Sequence, residues 1–320
     1  MIIFIDSFRK LRAVDVVIII FIHILSLISI VFLSGELAQL LIVVVNLIVT
    51  AFIILLSRSC LTSNGRIVSR LYDWYPVPMI FFIFKEVHIV IQSLTRNDWD
   101  KAFIGIDRAI FGIDPTVWLT KFASPILTET LQIAYASYYF IMLAVGFELY
   151  LKKENIKFSF SIFTIVYGFV LSYFGYLAFP AVGPRFTLHD FYALDAELPG
   201  LWLTNSIREL INAGESITKG TTNAIAVAQR DVFPSGHTQM TLITMFLAAR
   251  YKLTFRRLIY IFGTLLIIST VYLRYHYVVD IFGGIIFMLF TLWSAPKLFV
   301  SWERYRTAGE ITDRDFDKML

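Results

Sequence analysis

Residues 16–33 read VVIIIFIHILSLISIVFL, eighteen consecutive positions without a charged side chain. A run of about 20 apolar residues covers the ~30 Å hydrocarbon layer of a bilayer as a helix. Lipid offers the backbone no hydrogen-bond partner, so such a run must close its own bonds along the chain, as an α-helix does. Comparable runs lie near 38–56, 74–91, 131–150, 158–178, 237–250, 258–274 and 278–299. They predict an all-α fold, a polytopic transmembrane helical bundle of about eight spans. The run that begins at His237 is short for a full crossing and is expected to start at the interface or to tilt.

Of the 320 residues, 58% are hydrophobic and 16% charged, and the mean hydropathy of +0.71 excludes an ordinary water-soluble domain. Basic residues collect at alternate turns: Arg9, Lys10 and Arg12; Arg58, Arg66 and Arg70; Lys152, Lys153 and Lys157; Arg250, Lys252, Arg256 and Arg257; Lys297, Arg304 and Arg306. The positive-inside rule makes these turns cytoplasmic. Both termini are then cytoplasmic, and the long connections 93–129 and 179–234 face the extracytoplasmic side. Basic residues ahead of the first run, with no small-residue cleavage site after it, predict an uncleaved first span. Residues 1–73 are expected to form two N-terminal transmembrane helices and a cytoplasmic loop, 74–300 the catalytic core, and 301–320 a cytoplasmic tail. Within the first outward connection, 100–112 alternates charges with Phe103, Ile104, Ile106, Ile110 and Phe111, which predicts a short interfacial helix. A net charge of +4 implies no nucleic-acid partner, and the single Cys60 excludes an intramolecular disulfide or a thiolate cluster.

Three outward segments carry unusual polar groups to one side of the membrane. In FPAVGPR, residues 179–185, two prolines and a glycine set a turn that presents Arg185 at headgroup level, where a guanidinium suits phosphate. In FPSGHT, residues 233–238, proline and serine precede a helix whose first amides point outward, a ready anion site. There Gly236 lets a phosphate approach the backbone, Ser235 adds a hydroxyl donor, and His237 is placed to protonate a leaving oxygen. In STVYLRYHYVVD, residues 269–280, His276 and Asp280 are four apart and share a helix face. The carboxylate is expected to hold one ring nitrogen protonated, leaving the other free to attack phosphorus.

Pro-Ser-Gly-His at 234–237, followed one hydrophobic hairpin later by His276-x-x-x-Asp280, resembles the type 2 phosphatidic acid phosphatase superfamily of membrane lipid phosphatases, which also includes soluble vanadium haloperoxidases. The longer Ser-Thr-x-Tyr-Leu-x-x-His-Tyr-x-Val-Asp pattern is similar to its inositol phosphorylceramide synthase branch, and DRAIFG at 107–112 is similar to a segment of that branch's bacterial relatives. The likeness covers roughly 74–299. It implies a six-helix phosphatase-like core, His276 as the nucleophile that becomes phosphorylated, His237 as general acid, and Asp280 as support for His276. It also implies a cycle without metal or other cofactor, with arginine, lysine and amide donors holding the charge of a lipid phosphate or phospholipid drawn from the bilayer. Two positions depart from the phosphatase pattern. Thr270 stands where an arginine precedes the second histidine by six, and Ala178 where a lysine precedes Arg185 by seven. Arg274 is the expected substitute for the lost arginine, a loss the synthase branch shares.

His23 and His88 lie within spans and read as hydrogen-bonded members of the bundle. Lys85 and Glu86 also lie within a span, where an unpaired charge costs roughly 2.5–3.5 kcal/mol. They require a partner or a polar cavity, and both are candidates for lining a substrate cavity. The six tryptophans and sixteen tyrosines read as interface belt and packing, without a site role. The expected activity is hydrolysis of a lipid phosphate, or transfer of a phospholipid headgroup, through a phosphohistidine at the extracytoplasmic face. The competing class is a transporter or lipid flippase in which Lys85 and Glu86 line a path and the two histidines relay protons.

Overall fold

The computed structural model describes residues 9–33, 35–62, 65–94 and 98–307, and all regular structure among them is helical. The main helices are α1 (Ala13–Phe32), α2 (Glu36–Thr62), α3 (Arg66–Trp74), α4 (Pro76–Leu94), α5 (Asp100–Phe111), α6 (Pro125–Ala136), α7 (Tyr138–Leu151), α8 (Asn155–Ala178), α9 (Thr204–Gly214), α10 (Gly236–Arg250), α11 (Arg256–Tyr272) and α12 (Val278–Arg306). Among the described residues five helical stretches are long and apolar enough to cross a membrane, six if α6 and α7, bent by 44°, count as one. The eight runs expected from the sequence include two further, shorter helices. The runs at 237–250 and 258–274 are helices, but α10 and α11 have only 15 and 17 residues. At 1.5 Å per residue they reach roughly 22–26 Å, short of the hydrocarbon thickness. The outward faces are apolar: α2 exposes Leu40, Leu47, Ile48, Phe52 and Leu55. That inversion identifies an integral membrane protein, since water would drive those side chains inward. Of the expected tail, 301–306 end α12, and 308–320 lie outside the described residues.

The chain divides into two compact units, Met1–Leu94 with Leu149–Leu171 and Phe290–Leu320, and Thr95–Glu148 with Ser172–Leu289. In the first, polar groups that lipid cannot satisfy find one another. Asp15 at the start of α1 accepts from the Tyr72 and Tyr75 hydroxyls and from the Arg12 amide. The Asn46 amide group donates to Glu86 Oε1 at 2.6 Å, to Ser26 Oγ at 3.0 Å and to the Ile22 carbonyl at 2.9 Å.

In the second unit, α11 packs on α10 and α6, and α9 lies on α6. Glu129 of α6 caps α9 by accepting from the Leu201, Leu203 and Thr204 amides. Helix α5 is inside out relative to one on a soluble protein. Ile106, Ile110 and Phe111 are exposed, whereas Asp100 and Asp107, two turns apart on one face, are buried. Asp100 accepts from the Val182 and Gly183 amides at 3.0 and 2.8 Å and from the Tyr277 hydroxyl at 2.7 Å. Asp107 accepts from the Val278 and Val279 amides, both at 2.9 Å. Burial raises both carboxyls above the usual range, and the amide donors oppose it. Asp107→Asn keeps the shape but turns one acceptor oxygen into a donor facing an amide. It is expected to cost about 1.5–3 kcal/mol, the worth of a charge-assisted hydrogen bond. In detergent this reads as a melting temperature lowered by several degrees, and an unchanged transition would disprove the capping role.

Candidate active site

The FPSGHT segment is clamped from several sides. Phe233 stacks on Phe103 of α5 with ring centroids 4.9 Å apart, and the Phe233–Pro234 peptide is cis. Two helix glycines make room for this turn: a Cβ on Gly175 would stand 2.2 Å from Pro234 Cδ, and one on Gly283 would stand 2.6 Å from the Phe233 ring. The Ser235 amide donates to the Asp280 carbonyl at 2.9 Å, and Ser235 Oγ caps α10 by accepting from the Thr238 amide at 3.2 Å. A Cβ at Gly236 would lie 2.4 Å from the Tyr176 hydroxyl. Glycine is therefore required at 236 by a neighbouring tyrosine, a reason not visible in the local sequence.

His276 reaches the site through a tight helix end. After Tyr272 the chain takes a left-handed residue at Arg274 (φ 67°), and the Tyr275 and His276 amides both donate to the Thr270 carbonyl, at 2.9 and 3.0 Å. Glycine usually fills that left-handed position, so an arginine there is a local cost borne by the surrounding contacts. The buried His276 ring places Nδ1 3.0 Å from the Val232 carbonyl and 3.4 Å from Asp280 Oδ2. Asp280 Oδ2 itself accepts from the Tyr277 amide at 2.7 Å, at the start of α12. The expected carboxylate–imidazole pairing is thus only the looser of two contacts. Hydrogen bonding assigns the Nδ1 proton to the Val232 carbonyl and leaves the Nε2 lone pair free. Burial lowers the His276 pKa to about 4, while Asp231 and the Val232 carbonyl favour the protonated ring and Arg185 opposes it.

The second histidine sits in an aromatic clasp. Tyr135 and Tyr138 lie against the His237 ring at centroid distances of 4.5 and 4.2 Å, and His276 lies 5.7 Å away at 61°. Tyr135 also stacks on Tyr275 at 4.4 Å, and the Arg185 guanidinium lies 4.9 Å from the Tyr275 ring. The two clasping tyrosines flank the bend between α6 and α7, and Tyr138 Oη donates to the Gly236 carbonyl at 3.1 Å. Their packing role in the sequence is corrected to contact with a candidate catalytic ring. The only signal was their spacing of three within one apolar run, which many packing pairs share.

The two expected phosphate-holding cations are both buried and both engaged by carboxylates. Arg185 pairs with Glu215 and donates to Asn212 Oδ1 at 3.2 Å, and its amide donates to the Arg274 carbonyl at 3.0 Å. Arg274 pairs with Glu197 and lies 3.5 Å from Thr120 Oγ1. Thr270, where the phosphatase pattern has arginine, is buried with its hydroxyl on the Ile267 carbonyl. Lys85 and Glu86 belong to the first unit, where Glu86 is buried against Asn46 and Lys85 lies on an exposed face.

A family model described as the PAP2 superfamily matches residues 101–294, which include both histidines and most of the chain. No curated protein and no solved structure matches the chain.

A depressed His276 pKa has a definite signature. Between pH 6.5 and about 4 the unfolded chain protonates this ring and the folded chain does not, so its contribution to stability falls as pH falls through that window. The ring stays neutral to about pH 4. With a phosphodiester substrate, whose phosphate does not titrate there, the acid limb of kcat/KM due to His276 is expected near pH 4. A limb near 6.5, abolished with His276, would contradict the geometry.

Proposed function

Because the chain belongs to the PAP2 superfamily, we propose that it acts on a lipid phosphate through a phosphohistidine at His276, either as a phosphatase or as a phospholipid headgroup phosphotransferase. One observation supports the reading most directly: two imidazoles, one in the first turn of α10 and one in the connection between α11 and α12, lie 5.7 Å apart, and the second has its Nδ1 tied to a backbone carbonyl. In the first step His276 Nε2 forms a bond to phosphorus, the bond from phosphorus to the lipid oxygen breaks, and protonated His237 delivers its proton to that oxygen. In the second, an acceptor hydroxyl loses its proton to His237 and takes the phosphoryl group as the N–P bond breaks. Water as acceptor gives hydrolysis; a lipid alcohol, with a phosphodiester donor, gives headgroup transfer. General acid–base catalysis supplies about 10²–10⁴-fold. The remainder falls to charge stabilisation of the pentacoordinate phosphorus by Arg185, Arg274 and the first amides of α10, with Asp280 holding the turn beneath His276.

The alternating basic clusters support cytoplasmic termini and an extracytoplasmic site. The S-T-x-Y-L-x-x-H-Y-x-V-D pattern and the absence of arginine at position 270 support the transferase over the simple phosphatase. Purified protein incubated in membranes with phospholipid carrying ³²P in the headgroup phosphate decides between them: free phosphate marks hydrolysis, and a new labelled lipid marks transfer. His276→Ala is expected to abolish both while leaving membrane insertion intact, and turnover retained in that variant would remove the assignment.

A further inference from the structure

Arg185 and Arg274 are adjacent through a backbone hydrogen bond, nearly inaccessible, and each is held by a carboxylate from the same connection, 179–234. Glu215 follows α9, and Glu197 ends the single turn Leu194–Glu197. A guanidinium presents one set of N–H donors, and carboxylate and phosphate oxygens compete for the same fork. Arg185 is near enough to His276 to oppose protonation of that ring, Arg274 joins Arg185 through its backbone, and both expected phosphate cations are neutralised by their glutamates. We propose that Glu215 and Glu197 are phosphate-mimicking latches, carboxylates that occupy the guanidinium edges a substrate phosphate takes during turnover and thereby set the affinity of the site for anions. This rests on the reading of the site as a phosphate-transfer centre.

The two pairs differ in how readily they yield. The Glu197 side chain is 40% exposed and has solvent to turn into once phosphate replaces it on Arg274, whereas that of Glu215 is 15% exposed and its amide is tied to the Ile211 carbonyl at 3.0 Å. Incoming phosphate must displace each carboxylate or meet its negative charge at close range, which disfavours binding. The latch thus lowers affinity for any free anion. A substrate with additional binding surface, such as a lipid, compensates through its remaining contacts, so the two glutamates favour lipid-borne phosphate over inorganic phosphate. A purely structural role for the same pairs makes the opposite prediction, because weakening a strut that holds the arginines in place loosens the site.

Isosteric removal of charge separates the two. Orthovanadate, which mimics pentacoordinate phosphate, is titrated calorimetrically into the full-length protein in detergent. Glu215→Gln is expected to bind it about tenfold more tightly than the unaltered chain, and Glu197→Gln several-fold more tightly. Equal or weaker binding in both variants overturns the latch and leaves the phosphate-site reading standing. If Glu215→Gln fails to fold, Glu197→Gln at the more exposed pair carries the test alone. Orthovanadate binding by none of the three overturns the phosphate-site reading and the latch with it.

Discussion

A backbone amide in or near lipid has no water to bond, and this constraint shapes the whole site. A catalytic centre needs irregular backbone, with turns, helix ends and a left-handed residue, and every such departure orphans amide groups. Here carboxylates from other elements take them up. Asp100 holds Val182 and Gly183, Asp107 holds Val278 and Val279, Asp280 holds Tyr277, Glu129 holds the start of α9, and Glu148 holds the Thr254 amide at 2.7 Å. Each carboxylate is buried. Buried acid is costly alone, but the same low dielectric that penalises it strengthens its bonds to amides.

Against that frame the histidines differ in kind. His276 is set by backbone: its ring follows from the tight end of α11 and from the Val232 carbonyl. His237 is set by the aromatic rings of Tyr135 and Tyr138. The His276 Nδ1 is thereby fixed on a backbone carbonyl, and the His237 ring is fixed by stacking. Small residues are the counterpart of this precision. Gly175, Gly236 and Gly283 lie where a methyl group would collide with Pro234, Tyr176 or Phe233, so the turn bearing His237 is seated by close contact as well as by hydrogen bonds.

Charge compensation is equally tight. Arg185 and Arg274 are each matched by a glutamate, and Arg230 pairs with Asp98 at 2.7 Å. In a low-dielectric setting an unmatched buried guanidinium is expensive, so each of these cations carries a resident counter-charge.

The sequence by itself determined the helical class and the residence in lipid, because uncharged runs of such length have no other stable conformation there. It also singled out His237, His276 and Arg185 as candidates, since Pro-Ser-Gly-His and His-x-x-x-Asp are local patterns. Each of the eight apolar runs is helical, though hydropathy does not register that α10 and α11 are shorter than the rest. Only the tertiary structure decided what each group touches. Asp280 supports a helix start more closely than it supports His276, Gly236 makes room for Tyr176, and Tyr135 and Tyr138 enclose His237. Glu197 and Glu215 reach arginines 77 and 30 residues away. Those contacts join segments far apart in the chain, and periodicity carries no information about which distant carboxylate will meet which amide or guanidinium once the helices pack.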